Sequence, residues 1–210
     1  MSDRSLARRA MVDSQLRPEA VTDRGVIAAM ARVERERFVP EGQRALAYYD
    51  RSLPIAAGRT MMPPAALGRL LSALAPIAGE RALVVGSGGG YSAALLIAIG
   101  LAVTALESDH ALATAAGEVG IATEVGGLAS GWAAGAPYDL ILVDGAVEEI
   151  PAALTNQLAP GGRLGGGLVD RGITRLVVGR LSGGALGLAT ISDADVAVLP
   201  GFARPRVFTF

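Results

Sequence analysis

The residues most able to do chemistry lie in Leu83-Val84-Val85-Gly86-Ser87-Gly88-Gly89-Gly90-Tyr91, between a short apolar run and a helix-like segment. Glycines in such a loop let backbone amides approach a ligand closely, and the first turn of the following helix offers unpaired N–H groups. Glu107 lies 21 residues after Gly86, at the end of the next apolar run. A carboxylate there can accept both hydroxyls of an adenosine ribose. A turn built only for packing would need the glycines but not the acid. A dinucleotide fingerprint would place glycine where Tyr91 stands, and residues 82–162 carry eight acids and no arginine, a poor cradle for a pyrophosphate. The spacing of Gly86, Gly88 and Gly90 in acidic surroundings favours S-adenosyl-L-methionine, whose sulfonium is positive.

Composition narrows the chemistry further. The 210 residues are 51% hydrophobic and 19% charged with a net charge of -1, which excludes intrinsic disorder and gives no global pull towards nucleic acid or a membrane surface. With no cysteine there is no disulfide, thiol nucleophile or cysteine-zinc site. All 19 basic residues are arginine, so neither a Schiff-base lysine nor a P-loop lysine exists. The single histidine, His110, cannot form a histidine metal cluster, and no metal is expected. The uncharged stretch from Ala82 to Leu106 is broken by glycines, leaving sixteen residues from Tyr91, too few for a typical membrane span. A cytoplasmic protein, a monomer or weak homodimer, is expected.

The elements that must position these residues follow from periodicity. Ser5 to Leu16 reads as helix, and Thr22 as the cap of a second one carrying Val26, Ile27, Met30 and Val33. The string Arg32 to Arg37 reads as a solvated, ion-paired surface. Pro63-Pro64 opens a helix through Leu67, Leu70, Leu71 and Leu74. From Arg81 short apolar runs alternate with helical stretches: strands at 82–85, 101–106 and 138–143, helices at 91–99, 111–117 and 150–158. Such alternation predicts an α/β fold, an open and mostly parallel Rossmann-like sheet. Strands at 173–181 and 185–199 predict an antiparallel C-terminal edge, and Phe202, Phe208 and Phe210 beside Arg204 and Arg206 a final edge strand packed on the core. One domain is expected over 1–210: a helical extension and substrate-side segment at 1–63, then a cofactor-binding core at 64–210.

Between Met11 and Arg163 the chain resembles the protein-L-isoaspartate O-methyltransferase family. The likeness rests on Met11-Val12-Asp13-Ser14-Gln15-Leu16-Arg17, Arg35-Glu36-Arg37-Phe38-Val39-Pro40, Leu53-Pro54-Ile55, the glycine loop, and Gly131-Trp132 ahead of Ala136-Pro137-Tyr138-Asp139. Ile150-Pro151, Gln157-Leu158 and Ala159-Pro160-Gly161-Gly162-Arg163 complete it. The resemblance implies a class I methyltransferase fold that methyl-esterifies isoaspartyl carboxylates in damaged proteins. It implies that Gly86, Ser87, Gly88, Gly89, Gly90 and Tyr91 hold the methionine part of the cofactor, Glu107 and Ser108 the ribose side, and Gly127 and Leu128 the adenine. Three positions depart from the pattern. In Thr60-Met61-Met62-Pro63-Pro64, Met62 stands where the family has its active-site serine; Val84 and Gly127 stand where it has acids.

A carboxylate acceptor is already ionised at neutral pH and needs no general base. Catalysis then rests on holding it in line with the methyl donor. Thr60 is the hydroxyl left to hold it, Arg59 a cation able to pair with it, and Met62 an apolar wall of the pocket. Asp144, at the end of the third strand, is expected to line the cofactor site, and Asp109 to cap the next helix. Two readings stay open beside methyl-esterification: a silent relative that binds only cofactor or partner, and a methyltransferase with another acceptor.

Overall fold

The computed structural model describes residues 3–204; Arg206, Phe208 and Phe210 and their expected strand lie outside them. Helix α1 (Asp3–Met11) runs on as a π-helical turn over Val12–Leu16, and α2 covers Arg24–Arg32. The cap of α2 is Asp23, not Thr22: its carboxylate accepts from the Val26 amide at 2.9 Å. Two 3-10 turns follow, and then a hairpin that the periodicity did not reveal, β1 (Leu53–Ala56) and β2 (Arg59–Met61). Pro64 opens α3 (Pro64–Leu74), where its missing N–H costs nothing.

The nucleotide-type alternation is then realised as β3 (Arg81–Val85), α4 (Tyr91–Ile99), β4 (Ala102–Glu107), α5 (His110–Glu118), β5 (Thr123–Val125), β6 (Tyr138–Val147), α6 (Ala152–Thr155), β7 (Leu158–Asp170), β8 (Ile173–Ser182) and β9 (Ala185–Asp193). Seven strands form one sheet in the order β5-β4-β3-β6-β7-β8-β9. Pairings from β5 to β7 are parallel; β8 and β9 close the edge antiparallel, as expected. The strand order reverses at β3, whose neighbours are β4 and β6, so a crevice lies at the carboxyl ends of these three strands. The glycine loop, Glu107 and Asp144 all sit there. The hairpin β1–β2 is a separate two-stranded sheet.

Three expectations change for physical reasons. Helix α6 is a single turn closed by Gln157, whose side chain donates to the Ala153 carbonyl at 3.0 Å and the Ser130 carbonyl at 2.7 Å and accepts from the Trp132 amide at 2.8 Å; Leu158 then enters β7. The 32–37 string is solvated surface only in part: Arg32, Glu34 and Arg37 are exposed, and Glu34 pairs with Arg8, but Arg35 and Glu36 are buried. Arg35 is fully buried, donates to the Ala47 and Met62 carbonyls, and lies over the Tyr91 ring at 4.8 Å, while Glu36 accepts from the Tyr48 hydroxyl. The last strand stops at Asp193, and Phe202 packs in the second core beyond it.

One core joins Leu16, Met30, Leu67, Leu70 and Leu74 of the helical segments to Val84, Leu140 and Leu142 of the sheet; a second lies on the opposite face around Leu83, Ile141, Leu154 and Leu164. Among the described residues no helix is long and apolar enough to cross a membrane. Close approach of β6 explains Gly166 and Gly167 of β7, while a Cβ on Gly165 would crowd Leu70 and Leu74 of α3 at 3.1 Å. A Cβ on Gly166 would fall 2.7 Å from Val143 Cβ and 3.0 Å from the Val143 carbonyl oxygen, both on rigid backbone. Gly166→Ala should therefore lower the unfolding free energy by about 1–3 kcal/mol, the usual range for overpacking, measured by urea denaturation.

Candidate active site

Glu107 closes β4 with its side chain fully buried, and every lone pair it can use is engaged. Arg59 grips it in a fork, Nη1 donating to Oε1 at 2.5 Å and Nη2 to Oε2 at 2.8 Å. The Gly88 amide donates to Oε2 at 2.8 Å; the Ser108 and Asp109 amides donate to Oε1 at 2.7 and 3.1 Å. The Ser108 hydroxyl stands at 3.3 Å. Arg59 itself is 4% exposed, and its Nη2 also donates to the Gly86 carbonyl at 3.1 Å. Burial alone would push the Glu107 carboxyl up; the guanidinium and the backbone amides outweigh it and hold it below the ordinary carboxylate range. Arg59 is thus turned to Glu107 in this conformation rather than towards an acceptor.

The glycine loop is built on the same contacts. The Gly86 and Ser87 amides donate to the Leu106 carbonyl at 2.9 and 3.0 Å, and the Gly90 amide donates to the Ser87 carbonyl at 2.8 Å. These donors, expected to face a ligand, tie the loop to β4 and to itself. Glycine is required along the whole loop: Gly86, Gly88 and Gly90 have φ of +73°, +55° and +93°, and a Cβ on Gly89 would fall 2.6 Å from the Phe38 carbonyl oxygen, while the Gly88 Cβ position lies 2.7 Å from Ile55 Cδ1 of the hairpin. The Ser87 hydroxyl is buried without a hydrogen-bond partner. Asp109 caps α5 through the Ala111 and Leu112 amides, as expected.

Thr60, Met61, Ile55, Ser87, Tyr91 and Asp144 enclose a cavity of about 10 Å³ over the loop. That is space for about one water. Met61 lines it and Met62 does not: with Arg35 holding its carbonyl, Met62 turns its side chain into the first core, 1% exposed. The expected pocket wall is therefore the preceding methionine. Asp144 lies within β6 rather than at its end, half-buried, accepting from the Ser92 hydroxyl at 2.6 Å. Burial pushes its carboxyl up to about 6, against the pull of Ser92, Arg59 and Arg35. Gly127 opens a short turn with only Ser130 Oγ, at 3.7 Å, near its Cβ position, and Leu128 packs in the second core. Among the described residues no cluster of acids and histidine could hold a metal.

The donor set fits an adenosylated sulfonium ligand. An ionised carboxylate stands at the end of β4, a second carboxylate and an unpartnered hydroxyl flank the loop, and the nearby guanidinium groups are those of Arg59, paired with Glu107, and Arg35, over the Tyr91 ring. The space does not fit in this conformation, since the cavity is about 10 Å³ and ligand pockets generally need about 300–1,000 Å³. Beyond Ile55 and Gly89 lies a larger groove of about 340 Å³, lined by Arg37, Phe38, Pro40, Arg44 and Leu112 among others.

Comparison with known proteins agrees with this geometry. Residues 7–166 match the family model described as protein-L-isoaspartate(D-aspartate) O-methyltransferase. A Methylorubrum populi protein-L-isoaspartate O-methyltransferase is 44% identical over 164 residues, covering 75% of this chain and 77% of its own. One from Koribacter versatilis is 36% identical over 204 residues, covering 94% of this chain and 92% of its own. Among solved structures, a protein-L-isoaspartate O-methyltransferase superposes with a TM-score of 0.82 at 21% identity, over 92% of this chain and 66% of that one. A Plasmodium falciparum protein of the same description, in complex with S-adenosyl-L-homocysteine, gives a TM-score of 0.76 at 20% identity, over 95% of this chain and 99% of that one. At such identities the structures speak for the fold.

The site makes two predictions. Glu107→Gln leaves Arg59 buried without its counter-charge and should cost about 3–5 kcal/mol of unfolding free energy, read by urea denaturation. Asp144 binds its proton more tightly folded, at about 6, than at the ordinary 3.8. Its contribution is complete below pH 3.8 and is lost as pH rises through about 6. Asp144→Asn keeps an acceptor for Ser92 without the charge, so its melting temperature should gain on the parent between about pH 4 and 6 and stay level above pH 7.

Proposed function

The chain belongs to the protein-L-isoaspartate O-methyltransferase family, and on that footing we propose that it methyl-esterifies the carboxylate of isoaspartyl residues in proteins, using S-adenosyl-L-methionine. The observation that carries the reading is the meeting of the glycine loop, Glu107 and Thr60 at the carboxyl ends of β3 and β4, beside Asp144 of β6. S-adenosyl-L-methionine, when bound, supplies a methyl group on a positively charged sulfur. Glu107, held ionised by Arg59, Gly88, Ser108 and Asp109, is the acceptor for a ribose diol. Gly86 to Tyr91 form the floor against the methionine moiety, with Ser87 offering its unpaired hydroxyl. Ser108, Gly127 and Leu128 border the adenosine side. Asp144, raised to about 6 by burial, is mostly ionised at neutral pH and adds a second negative charge to face a positive ligand.

On the acceptor side Thr60 takes the part of the missing serine. It lies in β2 between Arg59 and Met61, half-buried on the cavity wall, where its hydroxyl can donate to a carboxylate. Met61 excludes water from that wall. We place the flanks of an isoaspartyl peptide in the adjoining groove, where Arg37, Arg44, Glu41 and Glu118 offer charge of both signs around an apolar floor of Phe38, Val39 and Leu112. The acceptor is a carboxylate anion, so no residue of the site is asked to remove a proton. What these residues supply is position, exclusion of water, and a donor for the carboxylate.

The test is transfer of labelled methyl from S-adenosyl-L-methionine to an isoaspartyl peptide, counted as base-labile ester and compared with the ordinary aspartyl peptide. Turnover on the first alone is expected; equal labelling of both, or none by a folded preparation, overturns the reading. One hydrogen bond to a charged group is worth about 1.5–3 kcal/mol. Thr60→Val, nearly the same shape, should then lower kcat/KM about ten- to a hundredfold with the melting temperature little changed.

A further inference from the structure

Glu107 cannot serve two bidentate partners at once. Its two oxygens face one guanidinium fork, and the remaining approaches are filled by the Gly88, Ser108 and Asp109 amides. Taking Glu107 as the ribose acceptor, as in the reading above, we propose that Arg59 is a latch on the cofactor site: the guanidinium and a ribose diol are alternative partners of one carboxylate, and the cofactor binds only as Arg59 leaves.

The element that carries Arg59 is built to let it go. The hairpin β1–β2 forms no part of the main sheet, and its register slips between Pro54 and Ala56. A two-stranded hairpin has little stability of its own. Its base is fixed, with Leu53 fully buried and Met61 6% exposed. Its tip is not: Ala57 and Gly58 are exposed, and the Gly58 Cβ position has nothing within 4 Å. Arg59 is the first residue after that tip. Beyond Glu107, its guanidinium donates to the Gly86 carbonyl and feels the charge of Asp144. Ile55, which fills the hollow over Gly88, rides on the opposite strand of the same hairpin, so lifting the tip clears both side chains together.

The carboxylate survives the departure. Three backbone amides and the Ser108 hydroxyl remain on Glu107, enough to keep it ionised and aimed into the site. The guanidinium, by contrast, loses its only carboxylate partner and exchanges it for water at an exposed tip. The latch thus sets affinity by competition: free energy that holds the hairpin shut is subtracted from cofactor binding.

Calorimetric titration with S-adenosyl-L-homocysteine tests this without relying on turnover. Arg59→Gln removes the fork and should tighten binding at least tenfold. Arg59→Lys keeps a cation against Glu107, so it folds even if the glutamine variant does not, but it loses the bidentate grip; it should fall between the two. Binding that is unchanged or weaker in both variants overturns the latch and makes Arg59 a structural or ligand-holding residue. The outcome separates from that of the functional reading. Tighter binding in the variants with no isoaspartyl methylation by any of them leaves the latch standing and removes the acceptor. Methylation by a parent protein whose ligand affinity neither variant improves does the reverse.

Discussion

The buried pair of Arg59 and Glu107 is the constraint around which this molecule is organised. Residues 82–162 hold eight acids and no arginine, so a carboxylate buried in the sheet crevice has no cation of its own neighbourhood to meet. An isolated buried charge is very costly, and even a paired one returns little net stability unless its hydrogen bonds are complete. Here they are complete, because the cation is brought from a hairpin 48 residues away and three loop amides converge on the same group. The hairpin is docked by that pair, and the glycine loop takes its shape partly from it. The two charges are not equal in this: removing Glu107 strands a buried guanidinium, whereas removing Arg59 leaves the carboxylate to its three amides.

A second buried arginine does related work at the neighbouring corner. Arg35 ties the Ala47 and Met62 carbonyls together and lies over Tyr91, the first residue of α4. The 3-10 turns, the chain after the hairpin and the loop helix are thereby locked at one point. Met62 loses its freedom to face the cavity as a result, and Met61 faces it instead. The methionine that lines the cavity is therefore Met61 and not Met62, the residue standing where the resemblance implies a serine. The apolar residue at that position became core, and the cavity wall kept a hydroxyl in Thr60.

What could be read from the chain and what could not divides along the range of the forces involved. The strand at 81–85, the helix at 91–99 and the acid after β4 are set by local pattern: continuous apolar runs, a glycine break, a carboxylate at the right interval. These gave the sheet, its switch point and the class of ligand. The hairpin was invisible because strands of four and three residues carry too little alternation to distinguish them from loop. Arg35 and Glu36 read as surface because charge in sequence says nothing of a partner far along the chain. Arg59 was singled out as a cation near the site, yet its partner was assigned to the substrate. Only the three-dimensional course of the chain reveals that the partner is Glu107, the carboxylate proposed for the ribose.

That last point bears on why such an arginine exists in a site for a positive ligand. A crevice holding Glu107, with Asp144 raised to about 6 by burial, is electrostatically strained towards cations. A cofactor relieves that strain when present, but the folded chain must also be stable without it. An arginine able to occupy the same carboxylate meets that need, and stability gained this way is necessarily affinity lost, since one group cannot satisfy two partners. The balance between the two is set by how readily a short hairpin lifts, which is a property of Leu53, Met61 and the Ala57-Gly58 tip rather than of the glycine loop that a motif would identify.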